Sequence, residues 1–363
     1  MCSSDLPQYH PIPENDKYWG KGFTEWTNVA KAKPLFRGHY QPHIPADLGF
    51  YDLRLPEVRE AQAELARDAG IEGFCYYHYW FGNGKMLLQK PFEEVLRLGK
   101  PDFPFCLCWA NHDWTTKTWV KGSSMVNNTM IAQQEYLGEQ DDIKHFEYCL
   151  RAFKDHRYIT IEGKPIFLIY DPLSFPNVKE FMNRWNFLAK KNNLKGIYFI
   201  GVTTGRQSSY KIVTNLGFDG VCHNRRWEAE AKAAGFRFVR RMQSLLGWHL
   251  GISLMKYDYN KVVRNYDTPE NKLENCYPVI TPGFDRTPRA GRRAGIYVNS
   301  SPKNFKKHVA EVCKSIQDKD DDHRLVFLSA WNEWGEGNYM EPDLKWGHGY
   351  LEALKSVVKF QIK

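Results

Sequence analysis

PEVREAQAELARDAGIEGFCYYHYWF, residues 56–81, holds the alternation that decides the fold. Its first half predicts a helix: Pro56 suits a first-turn position, Val58, Ala61, Leu65 and Ala69 share one face, and Gly70 stops the run. Its second half, EGFCYYHYWF (72–81), is aromatic-rich and predicts a strand.

The same step recurs along the chain. A helix near 91–98 leads to FPFCLCWAN (103–111), and one near 140–153 leads to PIFLIYD (165–171). VKEFMNRWNFLAKK (178–191) puts Val178, Phe181, Met182, Trp185 and Leu188 on one stripe before GIYFIGVTT (196–204). GFDGVCHN (217–224) and YPVITPGFD (277–285) follow. A helix with Phe305, Val309, Val312 and Ile316 in phase then precedes RLVFLSAWNEW (324–334) and a closing helix. Continuously apolar strands alternating with helices point to parallel strands buried on both faces. The expected fold is an α/β (β/α)8 TIM barrel forming a single domain over 1–363, with an insertion at about 225–274. No GxGxxG follows an early strand, so dinucleotide binding has no support.

The chain has 363 residues, a length that a barrel with insertions reaches without splitting. Its 12 Trp, 20 Tyr and 22 Phe pack a large core and supply flat faces suited to sugar rings. A net charge of +8 with no long basic run implies no nucleic-acid partner. The eight cysteines form no CxxC pair, which predicts reduced, buried thiols. No apolar stretch nears the roughly 20 residues of a bilayer span, and no basic-then-apolar leader opens the chain. A cytoplasmic location, with peripheral contact to the inner membrane, is the expectation. LPQYHPIP (6–13) reads as the exit from a core strand, so MCSSD (1–5) looks foreign and the first strand truncated or altered. Such a loss would expose two sheet edges.

A barrel builds its site at the C-terminal ends of its strands. Those ends carry His78, Tyr79 and Trp80; Trp109, Asn111, His112, Asp113 and Trp114; Asp171; Thr203; Asp285; and Asn332, Glu333, Trp334 and Glu336. A lone Asp or Asn after a strand is more often a cap or turn residue, and it is their collection on one rim that points to a site. SAWNEWGEGNYMEPD (329–343) goes further, because glycosidic-bond chemistry needs two carboxylates and Glu333 and Glu336 are candidates for the pair. Residues three apart on a straight strand face opposite sides, so the pair meets only if the chain bends after Trp334, as Gly335 and Gly337 allow. Glu341 and Asp343 read as loop or cap acids. In GFTEWTNV (22–29), Glu25 and Trp26 are candidates to floor a sugar subsite. No His and acid spacing demands a metal, and no cofactor is expected.

LPQYHPIPENDKYWGKGFTEWTNV (6–29), PHIPADLGFYDLR (42–54), EGFCYYHYWF, FCLCWAN and SAWNEWGEGNYMEPD together resemble the WbsX family, glycosyltransferases of bacterial surface polysaccharide synthesis, over nearly the whole chain. That family is similar to glycoside hydrolase family 99, the endo-α-mannosidases and endo-α-mannanases, retaining (β/α)8 barrels without a metal, whose NEWxEG motif matches Asn332 to Gly337. The resemblance implies that Glu333 engages a sugar 2-hydroxyl acting as internal nucleophile and that Glu336 is the general acid/base. The chain departs from the family's WANENW at Trp109 to Trp114, where it reads WANHDW.

Two stretches bear on the partners. RTPRAGRRAG (286–295) follows the seventh strand, where barrels often hold phosphate; Arg286, Arg289, Arg292 and Arg293 are candidates to grip a sugar-nucleotide or lipid-linked diphosphate or an acidic sugar. FRFVRRMQSLLGWHLGISLM (236–255) reads as a lid or as a membrane-touching segment near a lipid-linked acceptor. Three functions remain open: a glycosyltransferase of O-antigen or capsule (lipopolysaccharide) assembly, a retaining endo-glycosidase, and a carbohydrate-binding barrel without catalysis. The substrate in each is an oligosaccharide or polysaccharide.

Overall fold

The computed structural model describes residues 2–4, 9–116, 129–204, 207–234, 242 and 255–361. A curled parallel sheet is built from β1 (Cys2–Ser4), β2 (Phe74–Trp80), β3 (Phe105–Trp109), β4 (Lys164–Ile169), β5 (Tyr198–Val202), β6 (Gly220–His223), β7 (Cys276–Ile280) and β8 (Phe327–Ser329). Successive strands pair in parallel from β2 to β8. The expected loss of the first strand is corrected here: Cys2–Ser4 pairs with Phe74–Tyr76 on one side and with Leu328–Ser329 on the other. Residues that read as foreign thus occupy the first strand's place, because parallel pairing needs only backbone N–H and C=O groups.

Strand alternation divides the side chains between two environments. Cys75, Cys108, Leu168, Val202, Cys222, Val279 and Phe327 point inside the curl around a cavity of about 30 Å³. Tyr76 and Trp80 face the helices, and Phe74 packs on Phe103 and Trp331. The helix Val178–Lys191 buries Val178, Phe181, Met182 and Trp185 of its expected stripe and leaves Leu188 half-buried, and its Trp185 lies between Phe146, Phe167 and Phe199 with no exposed surface. The helix Pro302–Ser315 buries Phe305, Val309 and Val312, also as expected. Cys75, Cys106, Cys108, Cys149, Cys222 and Cys276 are free and buried, and Cys313 is free and half-buried.

The helix Pro56–Asp68 is turned partly from its predicted face. It fully buries Arg59, Gln62, Ala63 and Ala66, while of the predicted residues Ala69, just past its end, is buried and Val58 and Leu65 pack half-buried against the core. Two polar residues sit inward because each has a buried partner: Arg59 Nη1 donates to Leu53 O at 2.6 Å and Gln62 Nε2 to Glu341 Oε1 at 2.6 Å. Glu341 also accepts from Tyr51 Oη at 2.9 Å and Trp334 Nε1 at 2.6 Å, so it ties this helix to the loop after β8.

Of the 225–274 insertion, a helix over Arg226–Ala233, a strand Met255–Asp258 paired with Gly295–Val298, and a helix over Tyr259–Val263 are described. The basic and apolar stretch 236–255 lies outside the described residues apart from 242 and 255. Among the described residues no helix is long and apolar enough to cross a membrane.

Burial pushes Glu341 up to about 7, against the donors from Trp334, Gln62 and Tyr51 that favour its charge. A carboxyl raised on folding contributes stability below its unfolded value of 4.5 and loses it as pH rises through 7. Urea denaturation at pH 5 and pH 8 should therefore show Glu341→Gln gaining on the wild type by up to ~3 kcal/mol at the higher pH. An equal difference at both would remove Glu341 as the titrating group.

Candidate active site

After β8 the chain folds back on itself. Asn332–Glu333 pairs antiparallel with Asn338–Tyr339, a 3-10 turn covers Trp334–Glu336, and Gly337 closes it at φ 56°, in the left-handed region that glycine favours. This is the bend that Glu333 and Glu336 need in order to meet. They converge on one guanidinium: Arg289 Nη2 is 2.8 Å from Glu333 Oε2 and Arg289 Nη1 is 2.8 Å from Glu336 Oε1.

A third acid joins them. Glu25, on the helix Glu25–Ala30, accepts Arg289 Nε and Nη2 at 3.0 Å each, a bidentate pair. Gly335 permits the approach, since a Cβ there would lie 1.7 Å from Glu25 Oε1. Arg289 itself stands on the short helix Thr287–Ala290, which Asp285 holds through Thr287 N at 3.0 Å and Thr287 Oγ1 at 2.6 Å. The other oxygen of Asp285 contacts Gln41 Nε2 at 2.7 Å and His39 Nε2 at 2.8 Å.

Two more cations surround Glu336. Arg286 Nε is 3.2 Å from its Oε1, and Arg226 Nη1, at the start of the helix after β6, is 3.9 Å from its Oε2. Burial alone would raise the Glu336 carboxyl, but the guanidiniums of Arg289, Arg286 and Arg226 outweigh it and pull it down to about 2. Arg289 is deeply buried, yet the charges of Glu25, Glu333 and Glu336 hold it well above the ordinary arginine value.

Of the residues predicted to bind substrate, Glu25 and Arg286 join the two glutamates. Several others are placed elsewhere, and each has a physical reason. His78 and Trp109 lie on the helix side of the sheet. His78 Nε2 meets His145 Nε2 at 2.8 Å, and burial lowers His78 to about 3, so the pair is neutral. Trp109 Nε1 donates to Trp80 O, and its ring packs on Phe175 and Phe181. Tyr79 and Trp114 pack together, with centroids 5.2 Å apart, in a second core cluster with Ile12 and Phe23.

Asn111 spends its amide joining strand ends, with Nδ2 on Asp171 O at 2.8 Å and Oδ1 accepting Asp171 N at 2.7 Å. The Asp171 carboxylate caps a turn through Ser174 Oγ at 2.7 Å. Trp26, Asn332 and Trp334 form the packing behind the turn. Trp26 stacks on Tyr9 at 4.4 Å, Asn332 Nδ2 donates to Tyr51 Oη at 3.1 Å, and Trp334 stacks on Tyr339 at 3.8 Å. Asp285 braces Arg289 from the side. His112 and Asp113 stay at the rim, where Asp113 Oδ1 accepts Gln134 N at 2.8 Å and the His112 ring lies 5.6 Å from Tyr170.

Arg292 and Arg293 are exposed on a 3-10 turn, away from the glutamates that Arg289 joins. Arg226 escaped the sequence reading; its signal was HNRRW (223–227) at the end of β6, a strand end carrying two cations.

The family model for glycosyltransferase WbsX matches residues 1–354. The chain belongs to the WbsX glycosyltransferase family. It is 33% identical over 354 residues to WxcX of Xanthomonas campestris pv. campestris, a match covering 97% of this chain and 48% of WxcX. The chain therefore spans about half the length of the curated relatives it matches. Among solved structures it is similar to the GH99 endo-alpha-mannosidase from Bacteroides thetaiotaomicron in complex with Bis-Tris-propane, at TM-score 0.58 and 15% identity, covering 99% of this chain and 96% of that one. A glycoside hydrolase-like protein gives TM-score 0.57 at 15% identity, covering 93% and 99%. At such identity the likeness is one of fold.

In this WbsX-family chain, Arg289→Met would leave buried carboxylates facing one another. It should cost about 3–5 kcal/mol in denaturant unfolding, with part regained by adding Glu25→Gln. Gly335→Ala should likewise lower the melting temperature by several degrees, because the new methyl displaces Glu25; an unchanged melting curve would contradict the close approach.

Proposed function

We propose that the chain is a carbohydrate-active enzyme of bacterial surface polysaccharide synthesis that transfers a glycosyl group from a phosphate-activated donor to a glycan, on a single (β/α)8 domain spanning 1–363. The observation that carries this reading is the ring of Arg226, Arg286 and Arg289 around Glu336. Cleaving a bond to a sugar alkoxide needs a protonated acid on the leaving oxygen. Glu336, pulled down to about 2, is ionised near neutral pH and lacks that proton. A phosphate leaving group carries its own stable negative charge and needs no acid, and guanidiniums match its geometry.

In this mechanism Arg226 and Arg286 take the donor phosphates and the departing bond's electron pair leaves with the phosphate oxygen. Turning those two guanidiniums toward phosphate removes part of the charge that depresses Glu336, which becomes basic enough to accept the proton of the acceptor hydroxyl. Glu333 takes the proton of the donor sugar's 2-hydroxyl as O2 attacks C1 and the phosphate departs. The acceptor oxygen then attacks C1, the C1–O2 bond breaks and Glu333 returns the proton to O2, so configuration is retained, while Arg289 keeps both carboxylates in place. His112 and Asp113 are the rim residues best placed for further contacts with the glycan. The donor is a sugar nucleotide or a lipid-linked sugar diphosphate, and the acting chain sits at the inner face of the inner membrane.

A retaining endo-glycosidase is the second reading, favoured by the GH99 likeness of fold and by two glutamates on one arginine. Mass spectrometry separates the two. The protein is mixed with α-mannan, bacterial surface polysaccharides, sugar nucleotides and polyprenyl diphosphate sugars, beside a Glu333→Gln, Glu336→Gln double variant. Extended glycan with free nucleoside or lipid diphosphate, lost in the variant, is the expected result. New reducing ends without any donor would make it a glycosidase.

A further inference from the structure

A cleft of about 290 Å³ opens beside the carboxylates, between the loop 36–43 and the loops that follow β7 and β8. It shares Asp285 and Gly337 with the site's wall, yet Glu25, Glu333, Glu336 and the arginines are not in its lining. The wall is one residue thick: Asp285 N donates to Glu336 O at 2.6 Å, and a Cβ on Gly337 would lie 2.8 Å from Asp285 Cβ. We infer that this cleft is a saccharide subsite, holding a neutral sugar unit of the glycan on which the adjoining carboxylates act. The inference rests on the carbohydrate-active reading of those carboxylates.

Three observations support it. The lining mixes flat aromatic rings, Phe36, Tyr40 and Trp346, with the ammonium of Lys345 as a donor and with Asn299 and Ser300 as acceptors, their own donors being held by Asp258 Oδ2 at 2.7 Å and Tyr297 O at 3.2 Å. Such a mixture suits a pyranose, whose C–H face is apolar and whose edge carries hydroxyls. The volume lies at the small end of the range for ligand pockets.

The charges also disfavour an anion. Asp285 is occupied by His39, Gln41 and Thr287, and Asp343, just behind, by Tyr339 Oη and the backbone N–H groups of Lys345 and Trp346. Asp258 adds a third acid, holding Asn299 Nδ2 at 2.7 Å. Against the three stand the ammonium of Lys345, 4.7 Å from the Tyr40 ring centre and 4.9 Å from that of Trp346, and the ammonium of Lys256 over Phe36. A site with no excess of cations, and with no guanidinium among its described lining residues, favours a neutral polyol over a nucleoside diphosphate.

Isothermal titration of the full chain tests this with tetrasaccharides of mannose, glucose and galacturonic acid, with UDP and with pyrophosphate. The wild type should bind a neutral tetrasaccharide. Trp346→Ala should weaken that binding at least ten-fold while leaving pyrophosphate unchanged, and Trp346→Phe, which keeps a ring, should stay within about three-fold of wild type. Arg226→Gln should do the reverse, losing pyrophosphate and keeping the sugar. Failure of the wild type to bind either neutral tetrasaccharide overturns the inference, as does equal affinity in Trp346→Ala or a Trp346-dependent site that takes only UDP or the acidic tetrasaccharide. If pyrophosphate does not bind while ring-dependent sugar binding persists, the phosphate-donor reading fails and the subsite stands.

Discussion

Arg289 divides one guanidinium among Glu25, Glu333 and Glu336, and the surrounding backbone is shaped to let it do so. Carboxylates buried this deeply are tolerable only when paired and hydrogen-bonded. A planar fork with five N–H donors can satisfy several acids at once, which a lysine ammonium cannot do in the same geometry. Gly335 has no side chain because Glu25 occupies that space, and Asp285 fixes the helix that carries Arg289. Behind the turn, Trp334, Tyr339 and Glu341 form a packed, hydrogen-bonded support.

The same constraint shapes the chemistry proposed. Glu336, which shares three guanidiniums, is biased toward its charged form, which has no proton to donate and becomes a base only as those cations turn to an incoming anion. An incoming phosphate would compete with Glu336 for Arg226 and Arg286, so binding and activation are two sides of one charge redistribution.

Much of the architecture was legible because it follows from periodicity. The stripe of Phe181, Met182 and Trp185 and the apolar strands read directly as helix and sheet. The bend at Gly335 and Gly337, and with it the meeting of Glu333 and Glu336, was also readable, although Gly335 turns out to serve close approach rather than an unusual dihedral. Side-chain direction at strand ends was not readable. His78 and Trp109 sit at the C-terminal ends of strands but on the helix side, and a one-residue change of phase decides between pocket and core. Polar residues with distant partners were equally opaque: Gln62 and Glu341 are 279 positions apart, so neither announces the other. Arg226 belongs to that class, since its role depends on a glutamate 110 positions later.

The most direct test is the titration of Glu336 itself, followed by 13C NMR of glutamate-labelled protein with the resonance assigned through Glu336→Gln. The account predicts that Glu336 stays ionised down to the lowest pH at which the protein remains folded, and that its midpoint rises when Arg226 is replaced by Gln. A midpoint near or above 4.5 in the wild type would show a carboxyl able to serve as a general acid, and would contradict the claim that the arginines set the chemistry of this site.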